Sequence, residues 1–352
     1  QRAARRGYNS PVGRRIKEIP MAKYTAIGGQ ALIEGILMKS PEKTAIAVRT
    51  PDKDIDITYL SGKGLRERHR LLNLPILRGV VGFAESMIQG YKAMMISADK
   101  SGYTDIEEEN EKKLSEKKKN ALISAVMVLG TVLGVALAVV LFMLLPRLFV
   151  AGLQKLTGSQ FSAVMRSSIE QLLKLCVFVA YIWLVSFMKD IRRVFMYHGA
   201  EHKTIFCYEK GLPLTVENVR KQKRFHPRCG TSFMILMIVI SIVFSTVVQM
   251  IFPSVYNIYW LWVVVKILLI PVVCGFGFEV LRICGRYDNV LTRIISAPGL
   301  WMQRITTREP DDGMIEVAIA ALRACEPENP DVDRSVDKIE EDKTEDSEND
   351  GI

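Results

Sequence analysis

Residues 121–145 read ALISAVMVLGTVLGVALAVVLFMLL, 25 positions without a charge and with only Ser124 and Thr131 as polar side chains. A helix of about 20 apolar residues crosses the hydrocarbon core of a bilayer. Three further runs of similar character follow. Leu172–Met188 carries only Lys174 among its charges, Thr231–Phe252 carries none, and Ile258–Val280 is interrupted by Lys266 and Glu279 alone. Four such runs in 352 residues exclude an ordinary soluble domain and predict a mainly α, polytopic membrane protein with about four transmembrane helices.

Charge divides the chain. Residues 326–352 hold twelve acids and three bases, so an acidic tail of net −9 offsets a remainder of +18 within the overall +9. That tail lacks aromatics and is expected to be disordered. Residues 1–20 carry six Lys/Arg and one acid without an apolar h-region, so they are not a signal peptide. Met21-Ala22-Lys23 resembles a natural start, and residues 1–20 are read as a non-native or upstream basic segment, with a transit segment as the alternative. The six cysteines show no paired framework.

Basic residues predict the orientation. Pro146–Ser167, between runs one and two, holds three, whereas Lys189–Gly230, between runs two and three, holds ten. Five lysines precede run one within Lys112–Lys119, and Arg282, Arg286 and Arg293 follow or close run four. The positive-inside rule puts both termini and the 189–230 loop in the cytoplasm of a cell with an inner (plasma) membrane.

Around the spans, residues 21–98 read as an N-terminal cytosolic region. Thr44–Arg49 and Ile55–Leu60 form a candidate β-hairpin. Within Leu71–Ala98, Ile76, Val80, Phe83, Met87, Tyr91, Met94 and Met95 make an amphipathic stripe, read as an interfacial or re-entrant helix. Residues 99–120 are a charged linker, 121–288 the four-span region, 289–325 an amphipathic C-terminal region including a short helix at Gly313–Cys325, and 326–352 the tail.

Three of the four histidines fall in two neighbouring motifs, His198-Gly199-Ala200-Glu201-His202 and His226-Pro227-Arg228-Cys229. Positions i and i+4 share a helix face, and the order H-x-x-E-H is the inverted zincin pattern. His198, His202, His226 and Cys229 are therefore candidate ligands for a divalent metal, most simply Zn2+. Glu201 is the candidate catalytic base for a metal-bound water. If run two continues as helix through Phe195–Tyr208, to stop at Gly211 and Pro213, and a short helix capped by Thr215 runs to Arg224, both pairs reach one membrane-proximal level. The competing reading is that these imidazoles cap a helix end or sit among headgroups. Gly199 weakens the helix locally.

Other residues stay open. Glu279 either completes a metal shell or pairs with Arg282, and the pairing is preferred. Gly28-Gly29-Gln30 is the tripeptide of peptidyl-tRNA release factors, but a flexible turn is the simpler reading. Glu34 in an apolar stretch must be solvated, paired or metal-bound. Lys174 and Lys266 either snorkel or line a pathway.

Residues 28–38 (GGQALIEGILM), Leu77-Arg78-Gly79-Val80, residues 198–204 (HGAEHKT) and residues 226–233 (HPRCGTSF) together resemble the bacterial YqhQ family, from about Tyr24 to Cys325. The resemblance implies an integral membrane protein, described as a predicted metal-dependent enzyme without an established substrate. Three functions follow as expectations: a zinc-dependent hydrolase at the cytosolic membrane face, a membrane scaffold or assembly factor with a structural metal, and a small transporter. The expected partners are the lipid bilayer and a second copy or another membrane protein, with no nucleic acid.

Overall fold

The computed structural model describes residues 25–60, 72, 74–102, 129–130, 132–227, 229–286 and 289–327. The expectations for residues 1–20, the acidic tail and most of the charged linker lie outside them.

Four strands come first: β1 (Gly28–Leu32), β2 (Gly35–Lys39), β3 (Thr44–Arg49) and β4 (Ile55–Tyr59), an antiparallel meander in chain order. The expected hairpin is β3–β4, with Arg49 opposite Ile55 and Ala45 opposite Tyr59. The turn expected at Gly28-Gly29-Gln30 is instead strand, and Ile33-Glu34 makes the turn to β2, with Leu32 opposite Gly35. Glu34 there adopts φ 49.

Sheet burial explains why β2 resists a pattern search. Leu32, Leu37, Ile46 and Val48 pack with Ala93 on one face, and Ile36, Met38, Ala45 and Ala47 pack with Tyr197, Ala200, Ala318 and Leu322 on the other. A strand buried on both faces loses the apolar–polar alternation that marks a half-exposed one. Helix α1 (Leu77–Lys100) covers the first face, with Lys100 paired to Asp56 of β4.

The four apolar helices are α2 (Val132–Thr157), α3 (Ala163–Val185), α6 (Gly230–Ile251) and α8 (Tyr259–Arg286). Leu137, Leu148, Leu172, Val243, Trp260 and Leu268 are among their exposed side chains. Each would cost about 1.5–3 kcal/mol in water and none in lipid, so the bundle belongs in a bilayer. Helix α2 extends beyond the expected stop at Leu145. A widened π-type turn at Val140–Leu144 absorbs Pro146, which has no N–H to return to the preceding turn. Arg147 and Lys155 thus lie within the helix, and residues 158–162, the link to α3, contain no Lys or Arg.

Span two does not run on into the His motif as expected. It ends at Val185, residues 186–188 break the helix with Met188 extended, and α4 (Lys189–Glu209) starts at the first cluster of charges. The break frees α4 to lie against the sheet. Gly211 (φ 62) follows its end, and Thr215 caps the short α5 (Val216–Arg220) by accepting from Asn218 N, so that helix ends short of Arg224. A short α7 (Pro253–Asn257) links α6 to α8, α9 (Val290–Thr306) starts on an Asn289/Thr292 capping box, and α10 (Asp312–Cys325) buries Ile315, Ala318, Ile319 and Leu322 as expected.

Helices α4 and α10 pack on the second face of the sheet, so chain before span one, between spans two and three, and after span four meets in one layer. An even number of crossings separates these segments, consistent with one membrane face. Glu279 near the end of α8 is paired, its hydrogen bonds coming from Nε and Nη2 of Arg78 on α1, with Arg282 acting only through its charge. Sequence proximity suggested the neighbour at i+3, whereas α1 packs so closely on α8 that a Cβ on Gly79 would lie 2.9 Å from the Gly275 Cα.

Candidate metal centre

Helix α4 is buried along Tyr197–Ile205, an unusual length for a segment carrying Glu, Lys and two His. Its polar side chains are therefore held by partners. His198 and His202 stack one turn apart, ring centroids 4.4 Å from each other. His198 Nδ1 lies 2.8 Å from the Thr306 carbonyl and His202 Nδ1 2.5 Å from the Arg224 carbonyl. A carbonyl only accepts, so both Nδ1 atoms carry the proton and both Nε2 lone pairs point the other way.

Those lone pairs meet Cys229. The cysteine caps α6, with its sulfur accepting from Thr231 N at 3.4 Å, and stands 3.0 Å from His198 Nε2. His202 Nε2 is shielded from solvent and has no hydrogen-bond partner by distance and angle among the described residues. The donor atoms of His198, His202 and Cys229 all lie within 4.8 Å of one another. A tetrahedral zinc with Zn–N near 2.0 Å and Zn–S near 2.3 Å sets donor separations of roughly 3.3–3.7 Å, a range these distances bracket. Two nitrogens, one sulfur and an orphaned buried nitrogen suit a borderline-soft divalent ion.

The electrostatics agree. Burial, helped by the nearby His198, lowers the His202 pKa, and burial takes that of His226 down to about 4, so both are neutral at pH 7. Burial pushes the Cys229 thiol up, but His202 and Thr231 outweigh it and bring the thiol below its usual range. Burial drives the Glu201 carboxyl up to about 8, against a downward pull from His198.

Sequence reasoning grouped four ligands, and the structure brings three of them together. His226 stands beside them, its ring 5.7 Å from His202 and 4.6 Å from Phe206, with Nε2 3.6 Å from Glu209. Glu201 adjoins the cluster on the sheet side, where the Gly29 N–H bonds its carboxylate and a Cβ on Gly29 would lie 2.9 Å from it. Gly29 of β1 is thus a close approach to Glu201, the meaning that glycine in a strand often carries.

Several supporting residues were missed. Gln303 of α9, fully buried, accepts from His226 N at 2.7 Å and donates to His226 O at 2.7 Å and Ser232 Oγ at 2.9 Å, clamping the His226–Cys229 turn. Residues 306–309 form a strap across α4. Arg308 N donates to Phe195 O at 2.8 Å, Lys203 pairs with Glu309, and Gly199 gives the strap room, since a Cβ there would lie 2.0 Å from Arg308 O. The signal available was a glutamine on the inward face of an amphipathic helix.

Glu34 does meet the His-bearing helix. It accepts from both arms of Arg193 and, at 3.1 Å, from Tyr197 Oη. Arg193 is half-exposed, which screens the pair. Glu34→Gln is expected to cost about 1 kcal/mol, read as a lower midpoint of thermal unfolding. No change would mean that Glu34 does not anchor the turn to α4.

The sequence profile of the family described as "Protein of unknown function (DUF1385)" matches residues 74–328, which include every residue of the His/Cys cluster. The uncharacterized protein YqhQ of Bacillus subtilis (strain 168) is 36% identical over 300 residues, covering 84% of this chain and 91% of that protein. No solved structure matches the chain. With agreement over most of both lengths, the chain belongs to the DUF1385 family of YqhQ-like proteins.

Proposed function

We propose that the protein binds one zinc-like divalent ion through His198, His202 and Cys229 and uses it to hydrolyse an amide or ester at the cytosolic face of the plasma membrane. The observation that carries this reading is the pair of histidines whose Nδ1–H groups are tied to backbone carbonyls while both Nε2 atoms converge on one thiol. Outer hydrogen bonds of that kind orient metal-binding imidazoles. Three protein donors leave the fourth tetrahedral position open, as catalytic zinc sites do.

A divalent ion there supplies Lewis acidity to a bound carbonyl. Glu201, next to His202 on α4 and bonded by the Gly29 N–H, is the group that would hold and move the proton. The cytosolic placement rests on the ten basic residues of Lys189–Gly230 against none in residues 158–162. Cys229 caps a membrane span, so the substrate is one presented at the bilayer surface.

A structural metal in a membrane scaffold is the second reading, favoured by the depth of the site. His202 is 1% exposed and Glu201 5%. Glu201→Gln separates the two. It is expected to retain about one zinc per chain, with two nitrogens and one sulfur in its first shell by X-ray absorption, and to fail to complement a deletion strain. Full complementation would leave the structural role, and a metal-free wild-type protein would end both readings.

A further inference from the structure

Where α2, α3, α6 and α8 meet, the bundle forms a half-open cavity of about 740 Å3. Its walls come from the second half of α2, the first half of α3, the middle of α6 and the first half of α8. It therefore lies toward the end of the bundle away from Cys229 and is separate from the metal centre. Phe142 and Phe178 give it apolar sides, yet Arg147, Arg166, Lys174 and Lys266 also line it, against the single carboxylate of Glu170.

That balance is the informative feature. Ionic groups at membrane depth are costly unless paired, and among the described lining residues Glu170 sets one negative charge against Arg166, Lys174 and Lys266, leaving aside Arg147, which has a partner of its own. Lys174 sits at the middle of the 23 residues of α3, just inside the apolar run that begins at Leu172. Lys266 lies directly beside Lys174, and its Nζ is 5.4 Å from the centre of the Trp262 ring. Arg166 Nε, shielded from solvent, meets no acceptor among the described residues. Apolar walls around a surplus of cations, open to lipid on a helical bundle, suit a ligand with an anionic head and hydrocarbon tails.

We infer that this cavity binds the phosphate of an anionic membrane lipid, with Lys174, Lys266 and Arg166 on the headgroup. The test uses the full-length protein, purified in detergent and stripped of lipid. Phosphatidylglycerol in mixed micelles is expected to raise the thermal midpoint saturably and to appear as bound adducts in native mass spectrometry, whereas phosphatidylcholine does neither. Lys174→Met with Lys266→Met should weaken phosphatidylglycerol binding about tenfold or more, the worth of a charge-assisted contact. Lys174→Arg with Lys266→Arg should largely keep it. Glu170→Gln, which removes the one opposing charge, should tighten binding, and that change keeps the inference testable if the double methionine variant fails to fold. Equal stabilisation by phosphatidylcholine, or binding indifferent to these substitutions, would overturn the assignment. An equal shift from inorganic phosphate alone would replace the lipid by a soluble anion.

Discussion

Replacing His202 by alanine is expected to take the zinc content of the purified protein from about one equivalent per chain to near zero. The argument starts from a nitrogen. His202 Nε2 is buried without a hydrogen-bond partner among the described residues, an arrangement costing about 1–3 kcal/mol. The ring cannot turn to relieve it without breaking the Nδ1 bond to Arg224 O. A metal would satisfy that lone pair, as well as His198 Nε2 and the Cys229 sulfur. Structural zinc binding is worth about 10–16 kcal/mol in small domains. Losing one of three protein donors should remove on the order of a third of that, at least a hundredfold in affinity.

Variants at neighbouring positions give the comparison. Cys229→Ala is expected to match His202→Ala. Gln303→Leu should weaken binding by roughly 10–100-fold, since it releases the turn that carries Cys229 without touching a ligand. His226→Ala is expected to keep the metal, because that ring is directed to Glu209 and Phe206. Metal loss in His226→Ala equal to that in His202→Ala would restore the four-ligand set.

The sequence exposes some of these features more readily than others, for physical reasons. Spans are legible from composition because a bilayer demands length and apolarity and little else. The α10 stripe and the Thr215 cap are equally local signals. The β1–β2 hairpin is not, since β2 is buried on both faces and carries no alternation. Nor is the break at residues 186–188, where no proline or glycine marks the end of α3. Spacing alone singles out His198 and His202, but it cannot show that Cys229 turns inward while His226 turns toward Glu209. The partners of Glu279 and Glu201 lie far away in sequence, on Arg78 and Gly29. Local pairing rules have no access to them.

Gly199→Ala should act in the opposite sense to helix propensity. An alanine inside a helix is favoured over glycine by about 0.8–1 kcal/mol, and on sequence grounds the change looks stabilising. In the folded protein the added Cβ would lie 2.0 Å from the Arg308 carbonyl. The strap cannot yield easily, because it is fixed on both sides of that point. Thr306 O accepts from His198, Arg308 N donates to Phe195 O, and Glu309 pairs with the buried Lys203. Pushing the strap away breaks at least one of these, and the first in line is the bond that orients His198. Overpacking alone costs about 1–3 kcal/mol, and the misdirected imidazole should lower metal affinity by a further 10–100-fold. Gly152→Ala is the matched control: it also lies within a helix, nothing stands within 4 Å of its would-be Cβ, and it should be neutral or slightly stabilising. Thermal unfolding and zinc content measured on both variants decide the matter. A Gly199→Ala protein as stable and as metal-loaded as Gly152→Ala would show that the strap does not hold His198 in place.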